Sequence, residues 1–244
     1  MFRHQGKTRT LSHNLRIASL LSFVAGIVNV AGFLSVHRLT TNVTGHFAFF
    51  VEEALGLRLE AAFIFLVYIF AFFFGSFLSN LLVEVTSRKS ERYMFFAPII
   101  LEITVITFVG LFGLQLALKH PNLIACSLLF AMGLQNSLVT TISNSIVRTT
   151  HLTGLFTDLG IELSQLFFYK TAAQKFKLQS SMKLRFTIIF FFFIGGVVGG
   201  GLFAGIQLQV LFIAAGFLTA GLVYDNLKFR LLLLHRKLTK GFGQ

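Results

Sequence analysis

Six long apolar runs with few or no charges leave this chain few folds to adopt. The runs cover residues 17–36, 61–83, 94–118, 123–139, 186–206 and 208–224. About 20 residues of helix cross a hydrocarbon core of about 30 Å, and lipid offers the backbone no hydrogen-bond partners, so helices are expected. Only 12% of the residues are charged, against about a quarter in soluble domains. We therefore predict an all-α integral membrane protein.

The basic residues lie beside the ends of these runs rather than along one surface. They cluster in residues 1–16, 170–185 and 228–244, and the formal net charge is +12 at pH 7. Lys and Arg beside membrane segments mark the cytoplasmic side and attract anionic lipid. The pattern therefore predicts cytoplasmic N- and C-termini, and it favours membrane lipid over nucleic acid as the partner of this charge.

A short polar segment occurs twice in the chain. Residues 40–47 return as residues 149–156, and five of the eight positions are identical. The pattern Gly-x-x-Asn precedes each copy in an apolar run, ending at Asn29 and at Asn136. A repeated polar break of this kind is typical of transporters, which build a solute site at the interface between repeats.

The segments after the repeated turns, residues 47–57 and 156–169, decide the number of crossings. As a helix, the first would reach only about 17 Å at 1.5 Å per residue, and Glu52 and Glu53 would be unfavourable at the membrane centre. We therefore predict six full transmembrane helices and two short re-entrant or broken helices, with eight crossings as the alternative. Six crossings make the internal repeat inverted, whereas eight make its halves parallel.

One membrane domain, residues 1–244, accounts for the whole chain. Its predicted parts are repeat halves at about 17–118 and 121–227, with basic cytoplasmic segments at 1–16 and 228–244. The sequence leaves the oligomeric state open, and a homo-oligomer is compatible with it.

The two repeated turns are the candidate site. A Thr before Gly at the start of a short helix can accept a backbone N–H and cap the helix, whose N-terminus then offers N–H groups to an anion. Two such half-helices meeting near the membrane centre would bind a small polar or anionic solute. The candidate solute-binding residues are Asn29, Thr40, Thr41, Asn42, Thr44, Gly45, His46, Gln135, Asn136, Thr149, Thr150, His151, Thr153 and Gly154. The alternative is that these side chains only tie off a broken helix inside the protein.

Four carboxylates are candidates for ion or proton coupling, namely Glu53, Glu102, Asp158 and Glu162. A buried carboxylate in a membrane must be protonated, paired or hydrated, which is also what a proton-coupled carrier requires. Asp158 and Glu162 are spaced to share one helical face. Arg148 is the candidate counter-charge.

No motif for catalysis, a metal or a cofactor is present. The His residues lack the spacing H-x-x-x-H, and the chain has a single Cys. Neither a nucleophile elbow nor a P-loop occurs, and the glycines within residues 195–205 favour close helix packing. We therefore expect a protein that is not an enzyme and that has no metal site and no cofactor.

Several of these motifs occur together in one known family. They are Gly26-x-x-Asn29-x-x-Gly32, Thr44-Gly45-His46, Gly133-Leu134-Gln135-Asn136-Ser137 and, longest, R-T-T-x-x-T-G-x-x-T-D-L-G at residues 148–160. Together they resemble the YoaK-type family of small bacterial multi-pass membrane proteins, a domain of unknown function. The resemblance covers about residues 17–224 and implies a location in the bacterial inner (cytoplasmic) membrane, but no substrate. Members often carry Asp at the position of Asn29 and Asn at that of His46, so this chain lacks the carboxylate at its first-half site.

The function predicted from the repeat is secondary transport. The protein would be a transporter or permease for an unknown small polar or anionic solute, bound between the two turns. The alternative is a non-transporting membrane scaffold, an assembly factor or a lipid-binding protein. A carrier predicts a polar cavity lined by both turns, whereas a scaffold predicts turns that are dry and closely packed.

Overall fold

The structure, a computed structural model, describes residue 2 and residues 9–90 and 93–241, with side chains described up to residue 227. These residues form eight α-helices and one short 3₁₀ helix, and they contain no strand. The helices are α1 (Leu11–Val36), α2 (Val43–Leu55), α3 (Leu59–Lys89), α4 (Phe96–Lys119), α5 (Pro121–Ser143), α6 (Leu152–Gln165), α7 (Ala172–Ile206) and α8 (Leu211–Gly241). The 3₁₀ helix, Gln207–Val210, separates α7 from α8. The prediction of an all-helical protein is confirmed for the described residues.

Five segments of the described chain are long and apolar enough to cross a membrane. They are Leu11–Val36, Leu59–Lys89, Phe96–Lys119, Pro121–Ser143 and Ala172–Leu227. The last is 56 residues long and contains α7, the 3₁₀ helix and most of α8. Large aromatic side chains, among them Phe63, Phe73 and Phe193, are exposed on these helices, as expected of a surface that contacts lipid. These features are those of a helical membrane protein.

Two helix pairs approach so closely that only glycine fits between their backbones. In α1 and α7 the contacts join Gly26 to Phe192 and Gly195 to Phe23, and in α3 and α5 they join Gly133 to Phe72 and Gly75 to Phe130. A Cβ atom at any of these four glycines would lie 2.1 or 2.2 Å from the carbonyl oxygen of its partner. Small residues allow such backbone contact between membrane helices. The same device therefore holds both pairs together.

Contacts along the long helices define their relative directions. The contacts between α1 and α7 join Phe23 to Gly195 and Val30 to Gly200, and those between α3 and α5 join Tyr68 to Asn122 and Ser79 to Leu134. Those between α1 and α8 join Leu20 to Gly221 and Phe23 to Phe217, and those between α1 and α5 join Leu21 to Gln135 and Gly32 to Leu128. Those between α4 and α8 join Gly110 to Phe212 and Gly113 to Leu208. α7 runs parallel to α1, and α3 runs parallel to α5. α5 and α8 run antiparallel to α1, and α4 runs antiparallel to α8. Along the bundle axis, α1, α4 and α7 therefore point one way and α3, α5 and α8 the other.

Several helix boundaries differ from those predicted from the sequence. The short helices begin at Val43 and Leu152, which places each Thr-Gly pair inside the first turn of its helix. α7 begins at Ala172 and α8 continues to Gly241, so both run through stretches predicted as basic segments outside the membrane. Lys and Arg are good helix formers. A basic stretch can therefore lengthen a helix rather than end it.

Candidate functional site

The first repeated turn folds back beside the end of α1. Thr40 Oγ1 donates to the carbonyl oxygen of Val28 at 3.3 Å, and Thr41 Oγ1 donates to Asn29 Oδ1 at 2.8 Å. Val28 lies about 12 Å before the last residue of α1, Val36, at 1.5 Å per residue. The first turn therefore returns by about 12 Å along α1 into the bundle, where Thr40 is fully buried.

The second turn makes matching bonds at the end of α5. Thr150 Oγ1 donates to Asn136 Oδ1 at 2.9 Å, and Thr149 Oγ1 donates to the same oxygen at 3.4 Å. Asn136 lies about 10 Å before the last residue of α5, Ser143, at 1.5 Å per residue. Both turns thus use a Thr hydroxyl and the asparagine of the Gly-x-x-Asn pattern to hold a chain segment that enters the bundle.

The two turns enter the bundle from opposite ends, because α1 and α5 are antiparallel. The first turn meets α1 at Val28. The second is connected to α1 by Gln135, whose Nε2 donates to Thr149 Oγ1 at 3.3 Å and to the carbonyl oxygen of Leu21 at 3.0 Å. Leu21 and Val28 are about 10 Å apart along α1 at 1.5 Å per residue. The two predicted turns are therefore connected to the same helix, α1, at points about 10 Å apart along its axis.

The capping residues are not the predicted threonines. The N-cap of α2 is Asn42, whose Oδ1 accepts the N–H of Gly45 at 2.9 Å. The N-cap of α6 is His151, which makes no side-chain cap bond. Thr44 and Thr153 are the second residues of their helices, so the prediction that they act as caps was wrong. A cap is the residue whose backbone still lies outside the helix, and the helices begin too early for threonine to hold that position.

The repeated glycines make room for these cap side chains. A Cβ atom on Gly154 would lie 2.3 Å from the ring of His151. A Cβ atom on Gly45 would lie 3.3 Å from Asn42 Nδ2 and 3.0 Å from Leu39 Cδ1. The Gly that follows each Thr is therefore explained by close approach at the start of the helix.

His46 is fully buried between the first turn and α3. Its Nε2 donates to the carbonyl oxygen of Leu39 at 2.6 Å, so Nε2 carries the proton. Its Nδ1 has no partner among the described residues. The ring centre lies 5.1 Å from that of Tyr68, whose hydroxyl donates to Asn122 Oδ1 at 2.6 Å. Sequence reasoning missed Tyr68 and Asn122, because neither belongs to the repeat and only the fold brings α3 and α5 together.

Arg38 lies half-buried in the first turn and was also missed. Its guanidinium carbon is 5.5 Å from the centre of the Phe65 ring. No carboxylate among the described residues forms an ion pair with it. An unpaired guanidinium with a planar set of donors is well suited to a carboxylate or phosphate. The sequence feature that could have identified Arg38 is its position two residues before the repeated Thr40.

Buried polar atoms without partners also lie on α5, beside the second turn. Gln135 Oε1 and Asn136 Nδ2 have none within the described part of the chain. Leaving a buried donor or acceptor unsatisfied costs about 1–3 kcal/mol, and native structures contain few such atoms. A free acceptor and a free donor on adjacent residues are therefore a place where a polar ligand or water would bind.

The acidic candidates of the two halves differ in their surroundings. Glu53 binds Arg58 at the end of α2, where the arginine is largely exposed. The hydrogen bond and the charge of Glu53 raise the pKa of Arg58 above its usual value. Glu53 is therefore a member of a solvated ion pair beyond the turn.

Asp158 and Glu162 share one face of α6, as their spacing predicts, and both bind Arg185 of α7. Arg185 Nη2 is 3.1 Å from Asp158 Oδ2, and Arg185 Nη1 binds both Glu162 and Ser181. The predicted counter-charge, Arg148, was wrong. Arg148 is exposed in the turn, whereas Arg185 becomes available only because α7 packs against α6.

Glu102 has a different environment from the other three carboxylates. It is fully buried on α4, and neither of its carboxyl oxygens has a hydrogen-bond partner among the described residues. It lies outside both turns. The structure thus separates the four coupling candidates into three that are ion-paired and one that is not.

Two of the cavities on the described surface lie away from the turns. One, of about 430 Å³, is apolar and is lined by residues of α3, α4 and α5 that include Phe74, Phe108 and Phe130. The other, of about 370 Å³, is lined by residues around the 3₁₀ helix that include Gln115 and Gln207. Neither is lined by a residue of either turn, and Thr40 and Thr149 of the turns are fully buried.

Residues 17–224 match the model of a family described as a protein of unknown function, DUF1275, and the chain belongs to this family. No curated protein and no solved structure matches the chain. Within residues 2, 9–90 and 93–241, no group of three or more His, Cys, Asp or Glu is arranged to hold a metal ion. The family match supplies no activity.

Proposed function

We propose that the protein is a secondary transporter or permease for a small polar or anionic solute, bound between the two turns. The observation that carries the proposal is the set of buried polar atoms without partners at these turns. They are His46 Nδ1, Gln135 Oε1 and Asn136 Nδ2. A solute that carries both N–H or O–H groups and acceptor oxygens would satisfy them, because His46 Nδ1 and Gln135 Oε1 are acceptors and Asn136 Nδ2 is a donor. The closed turns correspond to the occluded state of a carrier that works by alternating access.

An inverted repeat with six crossings underlies the proposal. α1, α2, α3 and α4 correspond in order to α5, α6, α7 and α8, and corresponding long helices run in opposite directions. The glycine contacts of α1 with α7 are matched by those of α5 with α3. α7 and α8 count as two crossings because they are antiparallel. α2 and α6, with 13 and 14 residues, span about 20 Å and do not cross.

The solute we favour is an anion. Arg38 supplies a positive charge at the first turn without a described carboxylate to neutralise it, and the N-terminus of α2 lies in the same turn. A guanidinium and a helix N-terminus together favour negative charge. The proposed recognition is therefore of a carboxylate or phosphate group at the first turn and of polar groups at the second.

The proposal includes a location and a family. The resemblance to YoaK-type proteins supports a bacterial inner-membrane protein. The basic segments at both ends of the chain support cytoplasmic N- and C-termini. The exposed phenylalanines of the long helices are the surface that would contact membrane lipid.

A second candidate is a non-transporting membrane scaffold or lipid-binding protein. The observation that favours it is the close packing of the turns, in which Thr40, Thr149 and Gln135 are fully buried. A scaffold would keep this conformation permanently, whereas a carrier would leave it during each cycle. Measured flux distinguishes the two.

The test is uptake of radiolabelled small carboxylates and inorganic phosphate into proteoliposomes that contain the purified full chain. We expect saturable uptake of at least one anion. Arg38→Gln should lower that uptake at least tenfold, because the guanidinium contributes a charge-assisted bond to the anion. Arg148→Gln is the matched control, since it removes one exposed positive charge from the other turn.

Three results would count against this reading. Equal losses in both variants would indicate a general effect of net charge rather than a site at Arg38. Full uptake by Arg38→Gln would remove the anion from the proposal. Absence of any flux, together with copurification of one stoichiometric membrane partner, would support the scaffold.

A further inference from the structure

Glu102 combines complete burial with a complete lack of partners. Both of its carboxyl oxygens are inaccessible and without a hydrogen bond to any described residue. By contrast, Glu53, Asp158 and Glu162 each bind an arginine. Glu102 takes no part in the proposed binding of the anion at the turns, so its burial requires a separate explanation.

Glu102 lies within the length of a crossing helix rather than at its end. It is about 9 Å from the first residue of α4, Phe96, at 1.5 Å per residue. Ile99 and Ile106, on the same helical face, are also fully buried. This face packs in the interior of the bundle, where α4 contacts α3, α5, α8 and the 3₁₀ helix.

The helices that surround α4 provide no charge to balance Glu102. Their titratable or charged side chains with described positions are Glu60, Tyr68, Glu84, Arg88 and Lys89 on α3, Cys126 on α5, and Tyr224 and Asp225 on α8. The 3₁₀ helix contains none. No hydrogen bond or ion pair joins any of these side chains to Glu102. Its immediate surroundings in the described chain are therefore uncharged.

An ionised carboxylate in such surroundings is highly unfavourable. Moving an unpaired carboxylate from water into a medium of low dielectric constant costs far more than its protonation, so the group takes up a proton instead. In membrane proteins, an ionisable residue at this depth is by default a candidate for ion or proton movement. The neutral acid, by contrast, fits an apolar helix interface without a counter-ion.

We infer that Glu102 is a proton-binding site, whose carboxylic acid holds a proton in this closed conformation and releases it when water reaches the interior face of α4. Proton binding does not depend on transport. The role of the proton as the coupling ion rests on the proposed function. In that role, binding of a proton at Glu102 would accompany binding of the anion at the turns.

The experiment uses dicyclohexylcarbodiimide, which reacts with protonated carboxyl groups in apolar surroundings. The full chain in liposomes at neutral pH should acquire an adduct on the peptide that contains Glu102. The adduct should be absent in Glu102→Gln and unchanged in the matched control Glu53→Gln. Infrared spectra should show the carbonyl band of a protonated acid, shifted in D₂O and missing from Glu102→Gln.

An unmodified Glu102, together with an infrared spectrum that shows no protonated acid, would overturn the inference. If Glu102→Gln fails to fold, adduct mapping and the D₂O shift in the natural chain still decide. An adduct without anion flux would keep the proton site and reject transport. Anion flux together with an unmodified Glu102 and no protonated-acid band would keep transport and reject the proton site. If both the adduct and the anion flux are observed, uptake driven by a pH gradient should fall at least tenfold in Glu102→Gln, while exchange of the anion down its own gradient persists. Uptake driven by a pH gradient that is equal in Glu102→Gln and the natural chain would reject coupling through Glu102.

Discussion

The interface between α2 and α3 is aromatic, whereas the interface between α6 and α7, which corresponds to it in the proposed repeat, is ionic. In the first half, Phe49 stacks on Phe65 with ring centres 5.3 Å apart. In the second half, Arg185 binds Asp158 at 3.1 Å and also binds Glu162. The residues of the two interfaces correspond by their positions in the sequence. Asp158 follows Gly154 at the spacing at which Phe49 follows Gly45, and Arg185 precedes Gly195 at the spacing at which Phe65 precedes Gly75.

The comparison separates what the halves share from what distinguishes them. The glycine contacts between helices and the Thr-to-Asn bonds at the turns occur in both halves. The charges do not, since Arg38 stands without a described acid in the first turn and two acids surround Arg185 in the second half. The shared contacts maintain the fold. The specificity of any site between the halves must therefore come from the residues that differ.

The largest effect we predict tests the shared contacts. Gly26→Ala and Gly133→Ala should each destabilise the protein by about 3 kcal/mol or prevent folding, because the new Cβ would overlap a backbone carbonyl that cannot move aside. Thermal unfolding in detergent, followed by circular dichroism, measures the loss. Gly201→Ala is the control, since a Cβ there meets nothing within 4 Å. Clearly unequal losses at Gly26 and Gly133 would break the equivalence of the two halves.

A smaller effect tests the difference between the two interfaces. Arg185→Met should destabilise the protein by about 2 kcal/mol, between the values for exposed and buried ion pairs, because it leaves two carboxylates unpaired. Added salt should stabilise this variant relative to the natural chain by screening their repulsion. Phe65→Leu should destabilise by about 1 kcal/mol with no such dependence. The same melting series at low and high salt measures both, and a salt-independent Arg185→Met would contradict the ionic description.

The smallest effect concerns the helix caps. Asn42→Ala removes the bond to the Gly45 N–H and should destabilise α2 by about 1 kcal/mol. His151→Asn should install the missing cap on α6 and stabilise it by about 0.5 kcal/mol, since Asn is among the preferred N-cap residues. Hydrogen exchange of the first-turn amides reports each change separately. Unchanged protection of α6 in His151→Asn would show that its turn geometry does not accept a cap.

Much of the fold was predictable from local patterns. The apolar runs gave the long helices, since an apolar run of about 20 residues in lipid must be a helix. The spacing of Asp158 and Glu162 predicted one face, and their joint contact with Arg185 agrees with it. The repeated segments predicted two related turns, and both fold back onto the asparagine of the Gly-x-x-Asn pattern.

Residues that act across helices were not predictable in the same way. Arg185 lies in α7 and Tyr68 in α3, and the residues next to them in the sequence do not indicate which helices they contact. The caps were misassigned for a related reason, because helix starts depend on backbone contacts over a few residues that a repeat does not reveal. Boundaries and partners were therefore the points at which the structure departed from the predictions.

What the sequence determined by itself is the membrane class, the helical segments and the two polar breaks, because hydrophobicity and periodicity act over neighbouring residues. Only the tertiary structure decided which arginine neutralises Asp158 and Glu162, which residues cap the short helices and which of the four candidate carboxylates has no partner among the described residues. These are contacts between segments distant in the chain. The direction and packing of whole helices determine them, and no local pattern encodes that.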